Sequence, residues 1–545
     1  MTLIKSLLLG SAAGIVAVAT AQAADLPTRK AAPVEYVRVC NVGGITGWTL
    51  PGSDTCVKFS GYMTAHFIAG NLSSQYNSSS IVSPALGAAL GDPFPGHFSQ
   101  NILVQGSDVS PDVFNGTGHS IIVNGATVAP GANIPGAFIP AVTPLGTRAP
   151  NAIFNRNAIG WNIRANLGFD LASNTAYGPL IAHFDLNSDL GNGFDSPGSG
   201  LGGTGTYVNT GYITWAGLTA GKAQSFFSFI GGGDNWNNFF SPDRKGFNEP
   251  NLLAYTASFG GGFTATISAE SQGASNFVGG TNLTGPGNEA TFGGERWPDV
   301  VGALHVKQGW GEAQVSGVIH NVNVRDYSFF NDGGCGILGG QLCGANLSKV
   351  GWAVDAGVKW NLPSFGAGDD IIVTGAYSQN AVWYSGLPDA MNGENGQVNG
   401  NGQPMTLADA YFNPLTNAWS TPRAWSVSAL LEHHWTPTIY TDLEGSVGGI
   451  QWSGQSGGAC LAALGGCVGT GQISPHAFTY LIGADIGWNP VTNLNFDLEL
   501  MYQHVKQDAP SGNIGTVFGS GAFVPGAFQG DSSGFQGRLR ITRYF

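Results

Sequence analysis

Apolar and polar residues take turns along segment after segment of this chain, a period of two that belongs to an extended strand and not to a helix. In AIGWNIRANLGFD, Ile159, Trp161, Ile163, Ala165, Leu167 and Phe169 alternate with Gly160, Asn162, Arg164, Asn166, Gly168 and Asp170. In KVGWAVDAGVKWN, Trp352, Val354, Ala356, Val358 and Trp360 oppose Ala353, Asp355, Gly357 and Lys359. The final stretch, GFQGRLRITRYF, does the same, with Phe535, Gly537, Leu539, Ile541 and Phe545 on one side and Gln536, Arg538, Arg540 and Thr542 on the other. Arg543 alone breaks the apolar side, next to the end, where a long side chain reaches water at an interface.

One face of each such strand suits hydrocarbon and the other suits water. Aromatics recur at the strand ends, as expected where rings occupy two membrane interfaces. Connections alternate in length. Short turns are expected near 172–176, 216–218, 260–262, 309–311, 363–368, 436–437 and 489–491. Long Gly-, Ser-, Asn- and Pro-rich segments lie between them, at 70–157, 188–206, 228–250, 272–297, 325–348, 384–422, 453–475 and 506–532. The pattern predicts an all-β fold: a closed antiparallel transmembrane β-barrel of about sixteen strands, with short periplasmic turns and long extracellular loops. An even count brings the last strand beside the first, and closure matters because lipid offers an unpaired backbone edge no partner. A soluble antiparallel sandwich also alternates. It gives no reason for aromatics at both strand ends or for the asymmetry of the loops.

The first residues supply the compartment. Lys5 is the only charge ahead of an apolar run from Leu7 to Ala19, and Ala21-Gln22-Ala23 follows, so 1–23 reads as a signal peptide cleaved after Ala23. That run is shorter than the ~20 residues a spanning helix needs. Residues 24–57 are expected to form a periplasmic N-terminal segment and 58–545 the barrel. Only 10% of residues are charged and the formal net charge is −13. Phosphate neutralisation needs clustered Lys and Arg, which excludes nucleic acid as a partner. Six cysteines fall into three close pairs, Cys40 with Cys56, Cys335 with Cys343 and Cys460 with Cys467. Behind a signal peptide this spacing reads as three local disulfides. The rival, metal binding, lacks a Cys-x2-Cys spacing or a companion histidine pattern.

The segments KSLLLGSAAG, YVRVCNVGG, GYITWAGLTAGKAQSFF, NLLAYTASFGGGFTATISAE, PDVVGALHVKQGWGEAQVSG, GWAVDAGVKWNLPSFGAGDD and HHWTPTIYTDLEGSVG, taken in this order with the final aromatic, resemble the alphaproteobacterial outer-membrane porins. The resemblance covers nearly the whole chain. It departs from the family at the Pro-rich stretch between Gly70 and Asn157, which is far longer than the first loop expected and would cover the pore mouth or fold on a neighbour.

The resemblance implies a homotrimer in the outer membrane of a Gram-negative cell, among lipid and lipopolysaccharide, with one water-filled pore per subunit. It implies that Phe545 is read by the outer-membrane assembly machinery. It also implies that the loop after the fifth strand folds inward as the constriction. Here that loop holds GGGDNWNNFFSPDRKGFNEP, with Asp234, Asp243, Arg244, Lys245 and Glu249 as its charges. Strand parity turns Arg164, Lys222, Arg538 and Arg540 toward the lumen as the opposite wall, and acid facing base would set a transverse field.

No enzyme is expected, and no metal or cofactor. Gly200 to Gly205 matches GxGxxG, but a strand follows it and a dinucleotide site needs a helix there. His433 and His434 are adjacent and point to opposite faces of a strand. Glu432, His434, Asp442 and Glu444 could be drawn as an acid/base set, yet any strand lining water needs inward polar residues. The expected function is passive diffusion of ions and small hydrophilic solutes. Two alternatives stand beside it. One is a sugar-type channel with an aromatic slide built from Phe226, Phe227, Phe229, Trp236, Phe239 and Phe240. The other is a plugged barrel whose loops serve as an adhesin.

Overall fold

The computed structural model describes residues 38–70, 121–123, 126–128, 159–193, 203–229, 249–271, 278–280, 295–323, 348–387, 409–413, 418–453, 459–461, 466–468, 476–508 and 531–545. Sixteen of its strands form the wall. They are β1 (Cys56–Gly70), β2 (Ile159–Thr175), β3 (Gly178–Gly193), β4 (Gly203–Trp215), β5 (Leu218–Lys222), β6 (Asn251–Gly260), β7 (Phe263–Ser271) and β8 (Asp299–Gln308). The wall continues through β9 (Gly311–Asn323), β10 (Ser348–Asn361), β11 (Asp370–Gln379), β12 (Ala418–Thr436), β13 (Ile439–Ser453), β14 (His476–Val491), β15 (Leu494–Gln507) and β16 (Asp531–Tyr544). Each strand pairs antiparallel with its sequence neighbours, and β16 pairs with β1 from Tyr544 opposite Tyr62 to Gln536 opposite Gly70. The sheet is therefore closed, and along the seam each strand supplies the other's hydrogen-bond partners.

The two-residue period sorts the side chains as the alternation requires. On β10, Trp352 and Val354 are exposed on the outside while Ala353 and Asp355 are buried on the inside. On β2 the exposed Trp161 and Ile163 flank the inward Asn162. Rings meet across strands at the rim, Trp161 edge-on to Phe67 at 4.4 Å and Trp488 beside Phe496 at 5.5 Å. Such outward rings fit the two interfaces of a bilayer.

Below the seam, β1 continues past the reach of β16, and a hairpin of Val39–Val42 and Ile45–Thr49 takes up the free edge. Trp48 pairs with Val57 and Thr49 with Cys56. The Cys40–Cys56 disulfide ties the hairpin to β1. Val42, Cys56 and Ala172 bury one another there, with Ile45 and Ile181 packed on them. The barrel's first strand thus starts at Cys56, two residues ahead of the expected Lys58.

Several boundaries differ from those expected. β2 runs to Thr175, so its turn is Ala176-Tyr177 and not 172–176. β14 runs through Asn489-Pro490 to Val491, because a register shift between Trp488 and Val491 absorbs the proline that cannot donate to the ladder. β3 extends to Gly193 and β4 starts at Gly203, well inside the expected 188–206 loop, and a shift after Asp185 keeps the two in step. The signal peptide and Cys335 and Cys343 lie outside the described residues. So does the 70–157 insertion, apart from Gly70 and the short ribbon of Ile121–Val123 with Ala126–Val128.

Candidate functional site

The chain leaving β5 turns into the barrel. Ser225 Oγ donates to Glu270 Oε2 of β7 at 2.6 Å, and the Phe226 amide donates to Glu270 Oε1 at 3.0 Å. On β9, Ser316 Oγ and Gln314 Nε2 donate to the Phe227 carbonyl at 2.5 and 3.2 Å. The Phe227 ring is fully buried against Val301, Val318 and Ala353. Phe229 lies over Gly357 of β10 so closely that a Cβ there would sit 2.3 Å from the ring. Only glycine leaves room for that approach. The other end of the same loop comes back beside its start, since the Ala223 amide donates to the Pro250 carbonyl at 3.2 Å. The root of the 223–250 loop is therefore held on the inner wall of β7 to β10. Phe226, Phe227 and Phe229 belong to its packing.

The wall carries charge in an ordered way. Register places Asp370 of β11 opposite Glu432 of β12, Glu432 opposite Asp442 of β13, and Asp442 opposite Asp485 of β14. Asp485 faces Glu499 of β15, and Glu499 faces Arg538 of β16. Five carboxylates thus stand side by side around the circumference. Lys359 closes one end, with Nζ 2.8 Å from Asp370 Oδ2, and Arg538 closes the other, 3.2 Å from Glu499 Oε2.

Arg164, Arg538 and Arg540 face inward, whereas Lys222 shares the parity of the outward Leu218 and stands opposite Gly211 and Asn251, so the strand does not turn it toward the lumen as expected. Arg164 grips Asp189 of β3 with two bonds, Nε to Oδ1 at 2.6 Å and Nη2 to Oδ2 at 2.9 Å. Arg538 and Arg540 are buried on β16. Lys222 donates to the Asn209 carbonyl at 2.6 Å, and its Nζ stands 4.0 Å from Glu249 of the loop. Asp234, Asp243, Arg244, Lys245, Trp236, Phe239 and Phe240 lie outside the described residues.

The sequence pattern did not reveal the partners on the wall itself, Asp189 for Arg164 and Glu499 for Arg538. It could have suggested the first, because a hairpin centred on Ala176-Tyr177 sets Arg164 opposite Asp189. His433 and His434 meet at one acid. Asp369, in the turn before β11, accepts from His433 Nδ1 at 2.6 Å and from the His434 amide at 2.8 Å. Cys460 and Cys467 stand opposite one another in a short ribbon. Among the described residues no group of three or more His, Cys, Asp or Glu is arranged to hold a metal ion.

The model of the porin subfamily matches residues 25–84 and 150–520 of this chain. The chain belongs to the porin subfamily. Porin Omp2a of Brucella ovis is 29% identical over 319 residues, covering 58% of this chain and 69% of that protein. Porin Omp2a of Brucella melitensis is 30% identical over 319 residues, covering 58% of this chain and 65% of its own length. Among solved structures, the outer membrane channel DcaP of Acinetobacter baumannii aligns with 92% of this chain and 99% of its own at a TM-score of 0.48 and 10% identity. The porin is an outer-membrane β-barrel channel for small solutes, and its fold follows from its own strand register.

Proposed function

We propose that this porin is a passive channel for ions and small hydrophilic solutes with a preference for cations, and that the 223–250 connection carries its constriction loop, 228–250. The observation that carries this reading is the inward docking of Ser225–Phe229 on the wall beside a lumen belt of five adjacent carboxylates. A belt of one sign raises the local concentration of the opposite ion. Asp234, Asp243, Arg244, Lys245 and Glu249 supply the loop's charges, and Arg164, Arg538 and Arg540 the bases of the wall.

The channel works as a homotrimer seated among outer-membrane lipid and lipopolysaccharide. Phe545 acts in delivery to the assembly machinery. Disulfides Cys335–Cys343 and Cys460–Cys467 pin two loops, and the opposed positions of Cys460 and Cys467 support the second. No enzymatic step is assigned.

Purified protein in a planar bilayer under a salt gradient tests the reading. A reversal potential of cation sign is expected. An anion preference would overturn the direction, saturable block by one sugar class would replace general diffusion by a sugar-type channel, and protein that never conducts would return the plugged adhesin.

A further inference from the structure

A second segment enters the barrel, after β11, and meets the first. Asn380 turns with a φ of 56°, Val382–Ser385 forms one turn of 3-10 helix, and Gly386 closes it in the left-handed region at 74°. This turn does not face the outside. Ser426 Oγ of β12 donates to the Ser385 carbonyl at 2.5 Å, and the fully buried Leu387 lies against Gly448 of β13. The Val382 amide donates to the carboxylate of Asp409.

Tyr384 is fully buried, with its ring edge-on to Phe227 at 4.8 Å between centroids. Its hydroxyl donates to Asp299 Oδ2 of β8 at 2.5 Å. Asp299 in turn accepts from the Asn321 amide at 3.2 Å and meets His320 Nδ1 of β9 at 2.8 Å, while His320 Nε2 stands 3.3 Å from Asp409. Asp299, His320, Tyr384 and Asp409 are all buried. A polar set that is buried and mutually bonded holds its members in one arrangement, and a missing member leaves the others costly.

We propose that Ala381–Leu387 is a latch on the constriction, with Tyr384 as the positioning residue that holds the root of the 223–250 loop against the wall. The proposal rests on the reading of that loop as the constriction. The ring of Tyr384 covers Phe227, and its hydroxyl fixes the ring to Asp299. Phe227 is also held by Ser316 and Gln314 through its carbonyl, so loss of the latch frees the side chain before the backbone. The root at Ser225–Phe229 then visits positions off the wall, which a recording reads as substates in a barrel that stays folded.

Single-channel recordings of the full-length protein with Tyr384→Phe, Tyr384→Ala and Phe227→Ala test this, with the temperature at which the folded gel band is lost as the folding control. Tyr384→Phe keeps the ring and loses one bond to a carboxylate. It is expected to raise the time spent in substates roughly tenfold with the folded band preserved. Tyr384→Ala is expected to do more, and Phe227→Ala/Tyr384→Ala no more than Tyr384→Ala alone, because both act through one contact. If Phe227→Ala changes the recordings and both Tyr384 variants match wild type, the latch is wrong and the constriction stands. If none of the three changes conductance or substates while all fold, the constriction reading fails and takes the latch with it. Should Tyr384→Ala not fold, Tyr384→Phe alone decides.

Discussion

Phe545 and Gly61 close the barrel on each other. The Phe545 amide donates to the Gly61 carbonyl at 3.0 Å and the Gly61 amide to the Phe545 carbonyl at 3.2 Å. The aromatic ring lies where a Cβ on Gly61 would be, 2.6 Å from it, and the Asn166 carbonyl would be 2.3 Å away on the other side. Gly61→Val should therefore force the seam apart at a cost of ~1–3 kcal/mol or more. The expected outcome is less heat-modifiable folded protein, with normal conductance in the channels that do form. Removal of Phe545 should act in the same direction.

Arg538 and Glu499 form a buried pair, 7% and 2% exposed. Arg538→Gln strands the carboxylate and should lower stability by about 3–5 kcal/mol, since a buried charge without its partner is expensive. Arg538→Gln/Glu499→Gln should recover most of that loss, measured as thermal unfolding in detergent. Arg538→Glu or Arg164→Glu should move the reversal potential further toward cations. An unchanged potential would remove these arginines from the lumen field.

The Cys40–Cys56 disulfide closes a separation of 16 residues, a loop for which a cross-link adds about 3 kcal/mol. Its effect should stay local. Cys40→Ser/Cys56→Ser is expected to speed hydrogen exchange roughly a hundredfold at the amides of Thr49, which donates to the Arg38 carbonyl, and Leu50, which donates to the Thr55 carbonyl. The unfolding temperature of the wall should be unchanged.

Asp369 lies in the turn between β10 and β11. The His434 amide, then the His433 side chain, hold its carboxyl below the usual range. A depressed carboxylate stabilises the fold above its unfolded pKa of ~3.9 and stops doing so as pH falls through its lower folded value. Asp369→Asn should unfold at a lower temperature than wild type near neutral pH, and the gap should close as pH falls from ~3.9 through that lower folded value. A constant gap across that range would show that the charge is not what holds the turn.

The fold was legible because parity repeats. Ile159 to Asp170 and Trp352 to Trp360 each show which side meets lipid, and the short-then-long connections give the order of pairing. Register was less legible, because it turns on single residues. A hairpin centred on Thr436-Pro437 would set Glu432 opposite Thr441, whereas the turn falls at Pro437-Thr438 and the shift between His434 and Thr436 moves Glu432 from opposite Leu443 to opposite Asp442. The carboxylate belt follows from that one residue. The bond from Tyr384 to Asp299 spans 85 residues, a separation no local pattern reports. The one available signal was the apolar run Ala381-Val382-Trp383-Tyr384, which continues past the end of β11 into a polar connection.

An even number of strands leaves both termini of the wall, Cys56 and Tyr544, on the side of the short turns. During insertion the two ends stay behind, and the long connections have to travel through the bilayer. Between 71 and 157 the chain carries only Asp92, Asp108, Asp112, Arg148 and Arg156 as Asp, Glu, Lys or Arg. Each formal charge taken into hydrocarbon adds roughly 2.5–3.5 kcal/mol to the passage. With so few such residues over so long a stretch, the segment meets less of that cost per residue than a connection of ordinary charge would.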